Sequence, residues 1–250
     1  MLKKRIIPCL DIRNGQVVKG INFKNIAEVG DPVTLARNYC AQDADELVFL
    51  DITASSEKRK TLLSLVERIA EAINIPFTVG GGISTVADAG LLLRAGADKV
   101  SVNSSAVKNP HLLTDISAQY GSQCVVLAID ALMSSTGWKV TTHGGKVTTT
   151  LDAPSWAQCG VALGAGEILL TSMQQDGVRT GFDIPLIRAI ERKVNVPIIA
   201  SGGAGDCRHF KDVFKHAKAD AALAASIFHY GDISIPKLKN YLKEEKIPVR

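Results

Sequence analysis

The chain has 250 residues, 46% of them hydrophobic but only 5% aromatic, so Val, Ile, Leu and Ala carry the apolar load, as in buried parallel strands. The formal net charge of +4 comes without a basic arm, a Lys/Arg cluster interleaved with aromatics or an acidic tail, which argues against nucleic acid and suits small anionic ligands. No apolar run approaches a membrane span, and five cysteines (Cys9, Cys40, Cys124, Cys159 and Cys207) without CxxC spacing fit a reducing, cytoplasmic setting.

The chain opens on MLKKRIIPCLDIRNG, where Pro8 and Asp11 interrupt the apolar stretch too early for a signal peptide. Its first apolar run is Arg5–Asp11. Seven more follow: Glu46–Ile52, Pro76–Gly81, Asp98–Asn103, Gln123–Asp130, Glu167–Ser172, Val196–Ser201 and Asp220–Ser226. Helical spacing fills the intervals, as at Arg59–Ile73, Asp183–Val194 and Cys207–Ala217. Asp31-Pro32 and Asn109-Pro110 read as helix starts, an N-cap followed by proline in the first turn. Eight strand–helix units predict a parallel barrel or a doubly wound sheet.

An internal repeat decides between them. FLDITAS parallels LLTSMQQ, IPFTVGGGIS parallels VPIIASGGAG, and ADKVSVNSSAV parallels ADAALAASIFH. Asp11 and Asp130 lie 119 residues apart, Gly81 and Gly202 121, and Ser104 and Ser226 122. A duplicated four-unit block closes into an eight-fold ring. The predicted architecture is one (β/α)8 TIM barrel over residues 1–250, with half-barrels of roughly 1–120 and 121–250.

Barrel sites gather at the C-terminal strand ends. There stand Gly80-Gly81-Gly82, Asn103-Ser104, Gly202-Gly203 and Ala225-Ser226, with Asp176-Gly177 after the sixth run. Glycine lets backbone N–H groups approach an anion, and a following helix start adds its dipole. Alone, one such loop could be only a tight turn; four in symmetric pairs predict two phosphate sites facing each other. Asp11 and Asp130 end opposed strands and can serve as general acid and base between those phosphates. Asp51 ends the second run, where its counterpart is Ser172, and either orients substrate or holds its loop.

Alternation along the strands places Arg5 on the face of Asp11, and Lys99 on the face of Asn103. With Glu46 and Glu167 they predict four charges meeting at the bottom, as a stability plug or a breakable gate; the residues alone favour the plug. Cys9 reads as barrel packing. The stretches Ile12–Gly30 and Ala131–Thr150 are long loops over the mouth, with Lys19 as either a phosphate contact or a solvated lysine. The five histidines lack metal-ligand spacing, and neither a nucleophile elbow nor a dinucleotide fingerprint is present, so no metal and no cofactor is expected.

The segments RIIPCLDIRNGQVVKG, DELVFLDITAS, PFTVGGGI, GADKVSVNSSAV, GAGEILLTSMQQDGVRTGFD, PIIASGGAG and ADAALAASIFH together resemble the cyclase-subunit family of imidazole glycerol phosphate synthase, over essentially the whole chain. The resemblance implies a bis-phosphorylated ribonucleotide substrate and ammonia from a glutaminase subunit docked on the barrel bottom. It implies Asp11 and Asp130 as the acid/base pair. It also implies phosphate or substrate contacts at Lys19, Gly82, Asn103, Ser104, Asp176, Gly177, Gly203, Ala225 and Ser226, beside Gly202 from the repeat. Arg5, Glu46, Lys99 and Glu167 become an ammonia gate, which reverses the plug reading, and Asp98 falls at the subunit interface. Thr149-Thr150 departs from the family pattern, which has a Thr-Gly pair nearby. Two alternatives remain: the sister isomerase of the same pathway, against which DITAS and the bottom ring argue, and a non-catalytic phosphate-binding scaffold, against which the two aspartates argue.

Overall fold

The computed structural model describes residues 2–21, 24–52 and 60–250, with side chains described outside 19–29 and 53–61. The side chain of Lys19 and the TAS of the DITAS segment therefore lie outside the described residues.

Eight parallel strands close into a ring: β1 (Arg5–Arg13), β4 (Leu47–Asp51), β5 (Phe77–Gly80), β6 (Lys99–Val102), β7 (Val125–Ser134), β10 (Glu167–Ser172), β11 (Ile198–Ser201) and β12 (Ala221–Ala224). The β7–β10 and β12–β1 pairings complete the closure. Four further strands form two hairpin excursions: β2 (Gln16–Ile21) with β3 (Lys24–Gly30), and β8 (Gly137–Thr142) with β9 (Val147–Asp152).

These excursions correct the expectation of two long loops. Strands β1 and β7 do not end at their aspartates but run on into antiparallel ribbons. Asp11 pairs with Leu50 of β4 on one side and Val18 of β2 on the other; Asp130 pairs with Thr171 of β10 and Thr141 of β8. The first turn is Asn14-Gly15, both at positive φ (52° and 76°), which is the preferred chemistry of a two-residue hairpin.

The helices complete the repeat. After the first hairpin come α1 (Pro32–Ala41), α2 (Lys60–Ala72), α3 (Val86–Arg94), α4 (Ser104–Lys108) and α5 (His111–Tyr120). After the second come α6 (Ala153–Ala162), α7 (Ile184–Glu191), α8 (Cys207–His216), α9 (Ser226–His229) and α10 (Ile235–Glu244). Caps recur with them. Asp31 and Asp152 accept from Thr34 N and Ser155 N, each beside a proline in the first turn. Thr85 with Asp88 and Asp206 with His209 form capping boxes at equivalent helices. Asn109 departs from its expected role: it closes α4, and α5 starts after Pro110 without a side-chain cap.

Alternation sorts the strand residues into two cores. Ile6, Leu10, Leu47 and Phe49 face outward into the large layer beneath the helices. Ile7, Cys9, Val48, Val126, Leu169 and Leu223 face inward as a separate small cluster, which places Cys9 in barrel packing. Lys239 of α10, 2% exposed, reaches back to this frame with Nζ 2.9 Å from Asp45 Oδ1 and 3.0 Å from Asp43 Oδ2. The other oxygen of Asp45 accepts from Ile6 N of β1 at 2.7 Å. Replacing Lys239 by Ala strands the buried Asp45 charge, and urea unfolding is expected to read a loss of about 3–5 kcal/mol.

Candidate active site

The mouth of the barrel is built from matched pieces. Gly81 and Gly202 follow β5 and β11 at φ 103° and 88°. A Cβ on Gly81 would press on the carbonyl of Asp51, and one on Gly202 would come 2.8 Å from the carbonyl of Ser172, the equivalent residue. Only glycine allows each loop to cross so close over the neighbouring strand end. Gly82, Gly203 and Gly177 also adopt positive φ. The short helices α4 and α9 start at Asn103 (φ −127°, ψ −87°) and Ala225 (φ −122°, ψ −74°), neither with a side-chain cap bond. Each half thus presents a glycine turn beside a helix start whose first N–H groups have no side-chain cap, which is an anion-accepting arrangement.

Ser104 and Ser226 are the first residues of these helices. The hydroxyl of Ser104 accepts from His143 N at 2.9 Å, fastening the tip of the β8–β9 hairpin over α4. The sequence reading did not find that tether, because nothing local links residues 39 apart. Thr149 Oγ1 donates to Val140 O at 2.8 Å, so the divergent Thr149-Thr150 stretch takes part in pairing within the hairpin.

Asp11 and Asp130 occupy the inner face above the apolar cluster, Asp11 buried and Asp130 half-buried. Cys9 Sγ lies 3.7 Å from Asp11 Oδ1. Asn103 Nδ2 donates to Asp130 Oδ2 at 2.9 Å, and Thr141 Oγ1 donates to the Asp130 carbonyl at 3.2 Å. The Asp130 carboxyl is pushed up to about 7, chiefly by burial and next by the charge of Asp176, with the Asn103 hydrogen bond opposing. A carboxyl titrating there can give or take a proton near neutral pH.

Asp176 therefore stands with the carboxylates electrostatically. Its own N–H already donates to Ser172 O at 3.0 Å, and its negative charge repels a phosphate, so its chemistry points to Asp130.

At the opposite end the four predicted charges meet. Arg5 bonds Glu46 at 2.8 Å and Glu167 at 2.6 Å, and Lys99 bonds the second oxygens of the same two glutamates at 3.1 and 2.7 Å. Each cation bridges both anions, which closes a ring across the barrel bottom. Burial pushes the Glu46 carboxyl up, but Arg5 and Lys99 outweigh it and hold it below its ordinary value. Lys99 is the most exposed member, its side chain 18% accessible against 6–9% for the others.

The sequence profile of the family described as "Histidine biosynthesis protein" matches residues 5–234. The chain belongs to this family. Among its relatives, the "Imidazole glycerol phosphate synthase subunit HisF" proteins of Bacteroides thetaiotaomicron and Flavobacterium psychrophilum are each 56% identical, and that of Bacteroides fragilis 55%, over the full length of both chains. Asp98, expected at a subunit interface, is exposed and accepts from Phe77 N at 2.9 Å, while Asp220 does the same for Ile198 N at 3.1 Å. In this member of the family, then, Asp98 ties neighbouring strands together at one of two matched positions. No helix among the described residues is long and apolar enough to cross a membrane.

The raised carboxyl of Asp130 has a consequence for stability. Its folded value lies above the ordinary 3.8, so the native state holds a proton the unfolded chain gives up, and stability is lost as pH rises through about 7. Asp130→Asn is expected to match the parent near pH 4 and to exceed it at pH 8 by on the order of 1 kcal/mol or more, read from denaturant midpoints at both pH values.

Proposed function

We propose that the protein is the cyclase subunit of imidazole glycerol phosphate synthase, an enzyme of histidine biosynthesis. The observation that carries this reading is the pairing at the mouth: two strand aspartates at equivalent points, each accompanied by an anion-accepting turn. It is supported by the full-length identity of 55–56% to proteins of that name.

The substrate is phosphoribulosyl-formimino-aminoimidazole carboxamide ribonucleotide, with a phosphate at each end. One phosphate lies against Gly82, Asn103 and Ser104, the other against Gly177, Gly202, Gly203, Ala225 and Ser226, with Lys19 as a further contact, while Asp176 stands toward Asp130. The reacting carbons then lie between Asp11 and Asp130. Ammonia adds to the ribulosyl carbonyl with loss of water. The imidazole ring closes, and the C–N bond to the carboxamide ribotide breaks, giving imidazole glycerol phosphate and aminoimidazole carboxamide ribotide. One aspartate removes protons from the adding nitrogen, and the other delivers a proton to the leaving group. The two half-barrels, roughly 1–120 and 121–250, are duplicated units that now share one two-ended substrate.

The word "subunit" in the relatives' names supports a complex with a second chain. We assign that chain as a glutaminase docked on the barrel bottom, with Arg5, Glu46, Lys99 and Glu167 as the gate its ammonia must pass. A ring of four fully paired charges, three of them buried, blocks the axis when closed. Lys99, the most exposed member and the one on a flexible stem, is the part best able to swing away.

Purified protein given the bis-phosphate substrate and ammonium salt at alkaline pH is expected to turn over without any glutaminase. Asp130→Asn is expected to lower kcat by roughly 100-fold or more; an inactive parent, or a fully active variant, would reject the mechanism. Lys99→Ala is expected to reduce glutamine-dependent turnover of the reconstituted complex more than ammonium-dependent turnover. Equal losses in both would return the ring to a structural plug.

A further inference from the structure

The two halves match closely enough that their differences are informative. Asn103 follows β6, next to the β7 strand that carries Asp130, and Ala225 follows β12, next to the β1 strand that carries Asp11. Their backbones are nearly superimposable in dihedral angle, at (−127°, −87°) and (−122°, −74°). What differs is the side chain. Asn103 sets an amide donor 2.9 Å from Asp130 Oδ2, whereas the equivalent residue offers Asp11 only a methyl group. The same Asn103 N–H group also leans on Thr141 O at 3.4 Å, which fixes which face of the amide meets the carboxylate. Its Oδ1 is buried and has no protein partner, a cost that native structures seldom carry without a use.

We propose that Asn103 is a positioning residue for Asp130 that the other half of the barrel does not repeat: its amide nitrogen holds Asp130 in one orientation, and its amide oxygen accepts a hydrogen bond from an N–H or O–H group of the bound substrate. This rests on the acid/base reading of Asp130 above, and it goes further by giving the Asn103 side chain a role other than phosphate contact. A phosphate has no use for a carbonyl oxygen beside it, since both are acceptors. A substrate hydroxyl or amine does, and donation to Oδ1 would seat that group within reach of the Asp130 carboxyl.

The groups facing Asp130 limit what else can orient it. From β6 comes Asn103; from β8, Thr141, whose hydroxyl bonds the Asp130 carbonyl and not its carboxyl; from β10, Thr171 in register, with Asp176 beyond as the charge that bears on it. Asn103 donates to that carboxyl, and its hydrogen bond opposes both burial and Asp176.

The test is carboxyl ¹³C titration of Asp130 in the free protein together with the pH profile of ammonium-dependent turnover. In Asn103→Ala the Asp130 titration is expected to move to higher pH by about one unit, because the lost donor favoured the ionised form. The limb of the kcat/KM profile governed by Asp130 should move the same way while the other limb stays, with kcat falling roughly 10- to 100-fold. Asn103→Asp, isosteric but acceptor-only, should move the limb further than Ala. If Asn103→Ala raises KM alone and leaves both the titration and the limbs in place, Asn103 is only a substrate contact and the proposal fails. The titration needs no turnover, so an inactive parent would reject the assigned reaction without deciding the role of Asn103, which the NMR shift decides by itself.

Discussion

Closure of the eight-stranded ring is the constraint on which both ends of this protein depend. Strand β1 is held between β12 and β4, and β7 between β6 and β10, each in fixed register. With a side-chain period of two, that register sends Arg5, Ile7, Cys9 and Asp11 inward together. The interior is thus a stack: a ring of four charges at the bottom, an apolar layer above it, and carboxylates at the mouth. A slip of one residue in β1 would turn all four side chains toward the helices, removing a member of the charge ring and a carboxylate of the mouth at once. One set of backbone hydrogen bonds therefore fixes two functional layers at opposite ends of the strands.

The duplicated plan is kept where the backbone needs it and abandoned where the chemistry does. Caps at Asp31 and Asp152, the glycines crossing over Asp51 and Ser172, and the strand ties by Asp98 and Asp220 all recur. These are conformational requirements, and each half meets them in the same way. The surroundings of the two aspartates differ. Asp130 has Asn103 and Asp176 about it; the positions matching those two carry no amide and no acid. A general acid and a general base must differ in proton affinity to act in one cycle. Identical halves would supply two anion-accepting turns but two equivalent carboxyls.

The charges also show how burial is tolerated. In the bottom ring every buried oxygen of Glu46 and Glu167 meets a cation, and Lys239 does the same for Asp45. At the mouth, compensation is incomplete: the half-buried Asp130 lies beside a like charge with a single amide to offset it. The unfavourable placement keeps its proton available near neutrality, and the stability given up is the expected cost of such a site.

Much of this was legible in the chain itself. Repeat spacing carried the eight-fold plan, period-two alternation carried the bottom ring, and glycine pairs after apolar runs marked the mouth turns, because each is a local pattern dictated by backbone geometry. The Asn14-Gly15 turn was equally visible and would have shown the first excursion to be a hairpin. What the tertiary structure alone decided are contacts between residues distant in sequence. The amide of Asn103 on Asp130, the charge of Asp176 near it, and the hydroxyl of Ser104 under His143 have no sequence signature, since no periodicity relates them. Sequence determined which residues point inward and at what height; only the closed ring decided which of them touch, and so that the Asp130 carboxyl is raised where it stands.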